Sequence, residues 1–206
     1  MSVEPAEGQV SEELAWGTPA MHLGIAEQGK LYALEGRHDH ALVYYREAIR
    51  LIVQAGEPEI VFRHYLECVL ESLELAGSYP EVLDYCEKAI DLLTGQGAEE
   101  AEAELAHVYQ RQGAVLLKSG DRDRAMQSLR KAVELGAGHD FSVALAKTLL
   151  SWLERGLQVD ACRVLAEQQR TRYFNVRPET VDRARAIKLP NEQFLLNMNL
   201  HNGTRG

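Results

Sequence analysis

Large apolar residues recur along this chain at intervals of three and four, and glycine interrupts the recurrence at four places that share one register. The first copy reads Gly29, Tyr32, Gly36, Ala41, Tyr45, Ala48, and the third, Gly113, Leu116, Gly120, Ala125, Leu129, Ala132, keeps its spacing. Two looser copies read Leu70, Leu73, Gly77, Val82, Cys86, Ala89 and Leu149, Trp152, Gly156, Ala161, Leu165, Gln168. This spacing places each apolar run on one face of a helix. Gly36, Gly77, Gly120 and Gly156 fall where a helix must stop, and glycine enters the left-handed conformation there without strain. A short polar stretch follows, and then a second apolar period opens on a small residue, Ala41, Ala125 or Ala161, where two helices cross closely. Val82 holds that place in the second copy and predicts a slightly splayed pair. Ser78 and Glu81 have the spacing of a capping box, and Pro80 suits a first helical turn. The pattern predicts an all-α chain of four stacked helix pairs, because no pair can bury its apolar face alone.

These residues resemble the tetratricopeptide repeat family, whose unit is a helix–turn–helix of about 34 residues with small residues at the crossing. The resemblance covers Met21 to Tyr173. The interhelix glycines lie 41, 43 and 36 positions apart. The two longer intervals resemble the long-helix, kinesin-light-chain-like variant and lengthen the second helix of one unit and the first helix of the next. The resemblance implies a right-handed superhelix whose first helices line a concave groove. It implies a non-enzymatic adaptor or assembly scaffold that holds a peptide segment or partner protein. A cytoplasmic chaperone for an export- or assembly-bound substrate is the alternative, and a helical enzyme or enzyme subunit is a third reading.

Carried over by register, the groove positions are Leu23, Ala26, Lys30 and Ala33 in the first unit and His64, Glu67, Glu71 and Glu74 in the second. They are His107, Gln110, Ala114 and Leu117 in the third and Val143, Ala146, Leu150 and Leu153 in the fourth. The family's carboxylate clamp needs Lys, Asn and Arg at these positions, and only Lys30 is present. Glu67, Glu71 and Glu74 follow steps of four and three and so share one helix face. They are either a solvated outer face or an acidic wall for a basic partner segment. The fourth set is apolar throughout and needs a partner or a cover.

Charge divides the chain. Residues 170–206 hold seven Lys/Arg against three Asp/Glu, whereas the whole chain has a net charge of −9. An acidic array thus carries a basic tail. Residues 1–20 are a polar lead with a short helix near Ser11 to Trp16, 21–173 the repeat array, and 174–206 a cap and tail. Pro178 to Lys188 reads as the cap helix that an array needs. Phe194, Leu195, Leu196, Met198 and Leu200 form an apolar stretch whose expected cover is the fourth-unit groove. The tail is a lid on its own array, an arm that makes a homo-oligomer, or a disordered end.

Composition narrows the chemistry. No run of 18 apolar residues marks a membrane span, and Met1 to Gln9 lacks a basic-then-apolar signal, so a cytoplasmic location is expected. The net charge of −9 and the lack of a basic stripe interleaved with aromatics disfavour nucleic acid. Phosphate-loop, zinc-protease and Cys-x-x-Cys motifs are missing, so neither a cofactor nor a metal is expected. His38-Asp39-His40 falls in an interhelix turn, and capping explains it. Glu99, Glu100, Glu102 and Glu104 open a helix, where the macrodipole favours negative charge. Cys68, Cys86 and Cys162 read as buried small apolar residues.

Overall fold

The computed structural model describes residues 21–95, 99–138, 143–190 and 192–202, and among them the glycine-punctuated apolar periods fold into nine α-helices with no strand. They are α1 (Met21–Leu34), α2 (His38–Ala55), α3 (Glu59–Leu75), α4 (Tyr79–Thr94), α5 (Glu99–Ser119), α6 (Arg122–Leu135), α7 (Ala144–Glu154), α8 (Ala161–Arg170) and α9 (Glu192–Asn202). The first eight form the all-α solenoid. The longest helices are α2 to α5, with 16 to 21 residues, which is where the wide glycine spacing puts the extra chain.

The four repeat glycines are equivalent. Each has φ between +72° and +91°, just past the first helix of a pair. The next residue's N–H reaches back over the helix end: Arg37 to the Tyr32 carbonyl, Ser78 to Leu73, Asp121 to Leu116 and Leu157 to Trp152, at 2.9 to 3.0 Å. These bonds satisfy carbonyls that a helix end otherwise leaves orphaned. The same closure ends α2 at Gly56 and α8 at Arg172, the one described non-glycine residue with positive φ, at 53°. Ser78 makes no side-chain capping bond, so the expected capping box does not form, whereas Pro80 does sit in the first turn of α4. Asp121 and Asp160 do cap, accepting from the N–H groups of Arg124 and Arg163. His38, Asp39 and His40 belong to the first turn of α2 rather than to the turn before it. Cys68 and Cys86 are buried, but Cys162, on α8, is exposed.

How closely a pair closes follows from one repeat position. A Cβ on Gly29 would meet the Tyr45 ring at 2.8 Å, and one on Gly113 would meet Leu129 at 2.6 Å, so these glycines let α1 lie tight on α2 and α5 on α6. Leu70 and Leu149 fill that place in the second and fourth pairs, and there the helices touch far less extensively. The second pair is therefore splayed, with Leu70 contributing beside Val82. In the fourth pair the positions Ala161 and Leu165 are only half-buried, while Tyr45, Cys86 and Leu129 at the place of Leu165 are fully buried. As a result α8 leans away from α7 and packs against α5.

After α8 the chain returns across the array. Pro178 to Lys188 is not one helix: Pro178–Thr180 is a single 3₁₀ turn, and Val181 is extended at φ −111°, ψ 124°. The reason lies in where the backbone donors go. The N–H groups of Asn175, Val176, Asp182, Ile187 and Leu189 bond to groups on α1, α2 and α3 instead of to their own segment. The cap is α9, beyond Pro190, and it packs on α2 at the opposite end of the array from the one expected. The chain's end thus covers its first repeat.

Candidate functional site

The concave side of α1, α3 and α5 presents its first-helix residues to the returning strap, residues 171–190. The acidic face of α3 lies against α5, α8 and the strap. Each of its carboxylates meets a group of this same chain.

Glu67 takes two hydrogen bonds from the Arg111 guanidinium on α5, at 2.6 and 3.0 Å. Burial alone would raise the Glu67 carboxyl; Arg111 outweighs it and holds the group below the usual carboxylate value. Arg111 also donates to the Tyr173 hydroxyl at 3.1 Å. Glu74 is fully buried, accepts from the Lys118 ammonium at 2.8 Å and from the Gln168 amide at 2.6 Å. Lys118 and Gln168 come from α5 and α8, so Glu74 ties three helices together. Glu71, between them, accepts the backbone N–H of Asn175 at 2.6 Å and of Val176 at 3.0 Å. Burial pushes its carboxyl above the ordinary value, and the two N–H bonds offset this only in part.

Farther along, Glu27 on α1 accepts the Asp182 N–H at 2.7 Å and bridges to Lys30 at 2.8 Å. The Gly24 carbonyl accepts the Ile187 N–H at 2.9 Å. A Cβ at Gly24 would run into Ile187 and the Arg185 carbonyl, so only glycine lets the strap lie this close. The Tyr44 hydroxyl accepts the Leu189 N–H at 3.0 Å and donates to Glu192 at the start of α9. Every one of these anchors reads the strap's backbone. Arg183, Arg185 and Lys188, the basic side chains near these anchors, are exposed.

The remaining register positions sort as follows. Ala26 and Lys30 are buried, Ala33 is half-buried and Leu23 stands at the exposed edge. His64 and His107 are exposed on the concave side. Gln110 is buried, and its amide oxygen accepts the Ala146 N–H at 3.0 Å and caps the start of α7. Ala114 and Leu117 lie in the core shared with α7. Val143, Ala146, Leu150 and Leu153 are not an open groove: they are buried in that same core, beside Val164 of α8. The expected tail cover is corrected accordingly. Leu196 is buried, and Leu195 packs with it, in the cluster of Met21, Ile25, Tyr32 and Tyr44 at the first pair. Phe194 is exposed, and the side chains of Met198 and Leu200 lie outside the described residues.

One part of the concave side stays open. A cavity of about 620 Å³ lies between α3, α5, the start of α7 and the turn at 171–175. Arg63, Glu67, Tyr85, His107, Arg111 and Arg172 line it. Among the described residues, no group of His, Cys, Asp and Glu is placed to hold a metal ion, and no helix is long and apolar enough to cross a membrane.

Arg111, Lys118, Glu27, Gly24 and Tyr44 were not among the groove positions carried over by register. A signal for two of them was present. Glu67 to Arg111 and Glu74 to Lys118 are both separations of 44, so two acid–base pairs repeat one offset. The glycine register, at 43, points one residue short, to Gln110 and Leu117.

Compared with known families, the chain matches the tetratricopeptide repeat model at residues 26–52 and 106–136. These stretches are the first and third pairs, the two with glycine at the close-approach position. No curated protein and no solved structure matches the chain.

Proposed function

We propose that this protein is a non-catalytic adaptor or assembly scaffold, built on long-helix, kinesin-light-chain-like repeats, that binds a protein segment on its concave face. The observation that carries this reading is that the face already holds an extended segment by its backbone, through Glu71, Glu27 and Gly24. A surface that satisfies backbone donors of an extended chain suits peptide recognition. The acidic character of α3 and the adjoining open cavity favour a basic or partly apolar partner segment.

A photo-reactive amino acid placed at His107, in the open cavity, tests the reading in the native cell. Lys88, exposed on α4, serves as the control position. One stoichiometric protein cross-linked from His107 and not from Lys88 supports an adaptor. A broad set of unfolded clients supports a holding chaperone in the cytoplasm instead. No cross-linked protein at either position contradicts both.

A further inference from the structure

The strap is bound as a ligand is bound. Four sites on the array take its N–H groups at 2.6 to 3.0 Å: the Glu71 carboxylate, the Glu27 carboxylate, the Gly24 carbonyl and the Tyr44 hydroxyl. None of these bonds depends on which side chain the strap carries, only on the residue not being proline. Apolar anchoring comes from Phe174 and Leu189, both buried near the two ends, with Val176 and Ile187 half-buried between them. Between them Asn175, Asp182, Arg183, Ala184 and Arg185 are exposed. A segment held by a few hydrogen bonds and two apolar ends belongs to the low-stability part of a fold. By contrast, the pairs α1–α2 and α5–α6 close over glycine and supply residues to two core clusters.

We propose that residues 174–189 are an exchangeable internal ligand, and that the concave face accepts in their place a basic segment of a partner protein that forms no α-helix, carries no proline at the anchored positions and has apolar residues at its ends. The proposal rests on the adaptor reading and adds that the array is closed until the strap leaves. Basic character follows from the receptor: Glu27 and Glu71 receive the incoming chain, and the present occupant lies in a stretch with seven Lys/Arg against three Asp/Glu. Two successive N–H groups are required opposite Glu71, because a buried acceptor left without donors costs the desolvation of the group.

The test weakens the strap and leaves the receptor intact. Val176→Pro and Ile187→Pro, combined in the full chain, delete the N–H groups that meet Glu71 and Gly24. The probe is a fluorescein-labelled synthetic peptide of residues 172–190. It is expected to bind the double variant at least tenfold more tightly than the wild-type chain, whose groove is filled. Equal binding to both chains overturns the proposal. Amide hydrogen exchange on the wild-type chain decides the matter independently, even where the double variant does not fold. The amides of Val176, Asp182 and Ile187 are expected to exchange together, at least 100-fold faster than the slowest core amides (roughly the span of sub-global opening). Exchange only with global unfolding means the strap is part of the core and overturns the proposal. A strap that exchanges while nothing cross-links at His107 supports the exchangeable strap and overturns the adaptor reading together with its partner segment. A partner that cross-links equally to wild type and double variant does the reverse.

Discussion

The Glu71 carboxylate receives the Val176 backbone N–H at 3.0 Å, across 105 residues of chain. With the adjacent bond from Asn175, it turns a like-charged helix face into a docking point for a neutral backbone. The basic tail and the acidic array do meet, but through main-chain dipoles at this point, while Arg183 and Arg185 stay in water. Acidic residues at the groove attract a basic chain over a Debye length of about 8–10 Å, and the backbone bonds then fix its path.

Burial of Glu71 gives the fold a pH signature of known sign. Its carboxyl lies above the ordinary value in the folded chain, so the folded state holds the proton more tightly than the unfolded one. Stability relative to Glu71→Gln is therefore expected to rise as pH falls from the folded value toward about 4.3, the ordinary Glu value, and to be lost as pH rises through the folded value. Glu67 has the opposite sense: its carboxyl is held down by Arg111 against burial, and its contribution fades only below the ordinary carboxylate range. Urea unfolding of both chains at several pH values from 7.5 to 4.5 measures the difference. A difference that stays flat contradicts this placement of Glu71.

Glu74 and Lys118 form a buried pair, with side-chain exposures of 0% and 4%. Glu74→Ala leaves Lys118 charged and Gln168 without its acceptor, and is expected to cost about 3–5 kcal/mol in urea unfolding. Glu74→Leu combined with Lys118→Met removes both charges and is expected to recover most of that loss. A single-variant cost below about 1 kcal/mol, the range of a surface pair, contradicts the buried bridge. The same geometry shows why charge reversal of all three α3 glutamates is no clean probe of partner binding: it dismantles the array.

Gly24→Ala separates helix from strap. Within α1 alone the change is worth about 1 kcal/mol in favour of the helix. Its Cβ, however, would lie 2.7 Å from the Arg185 carbonyl oxygen and press on Ile187. The thermal midpoint of the array is expected to hold or rise while the Ile187 amide loses protection at least tenfold. Unchanged protection at Ile187 contradicts the close approach at Gly24.

Arg172 ends α8 at φ 53°, where the other closures of this kind use glycine. Arg172→Gly relieves a conformational cost of about 1–2 kcal/mol, partly offset by the greater freedom of glycine in the unfolded chain. A net gain of roughly 0.5–1 kcal/mol in the urea midpoint is expected. A loss instead means that the Arg172 side chain is engaged at the cavity it lines.

The solenoid was legible because its signals are local. Glycine at the end of each first helix and alanine at three of the four crossings are fixed by backbone geometry within a few residues, and four copies in register compound them. The acidic face of α3 was legible as one face for the same reason. What fills the groove was not, because Glu71 recognises main-chain N–H groups, which every residue but proline carries. Nothing in Asn175 or Val176 as residue types marks them as Glu71 partners. The cap was misplaced for a related reason. Pro178 to Lys188 has helical composition, but its backbone donors are drawn to α1, and the apolar residues that bury a helix face come later, at Leu195 and Leu196. The fourth-unit apolar face was read as open because register alone cannot tell that α8 leans toward α5.

The central claim is that the concave face is filled by the chain's own C-terminal segment, and the contact of Ile187 with Gly24 reports on it most directly. In a ¹³C-edited NOESY spectrum of the full-length protein, the account expects cross-peaks between the Ile187 δ1 methyl and the Gly24 α protons, beside the N–H to carbonyl bond at 2.9 Å. Clear helical cross-peaks throughout α1 with none between Gly24 and Ile187 would contradict it.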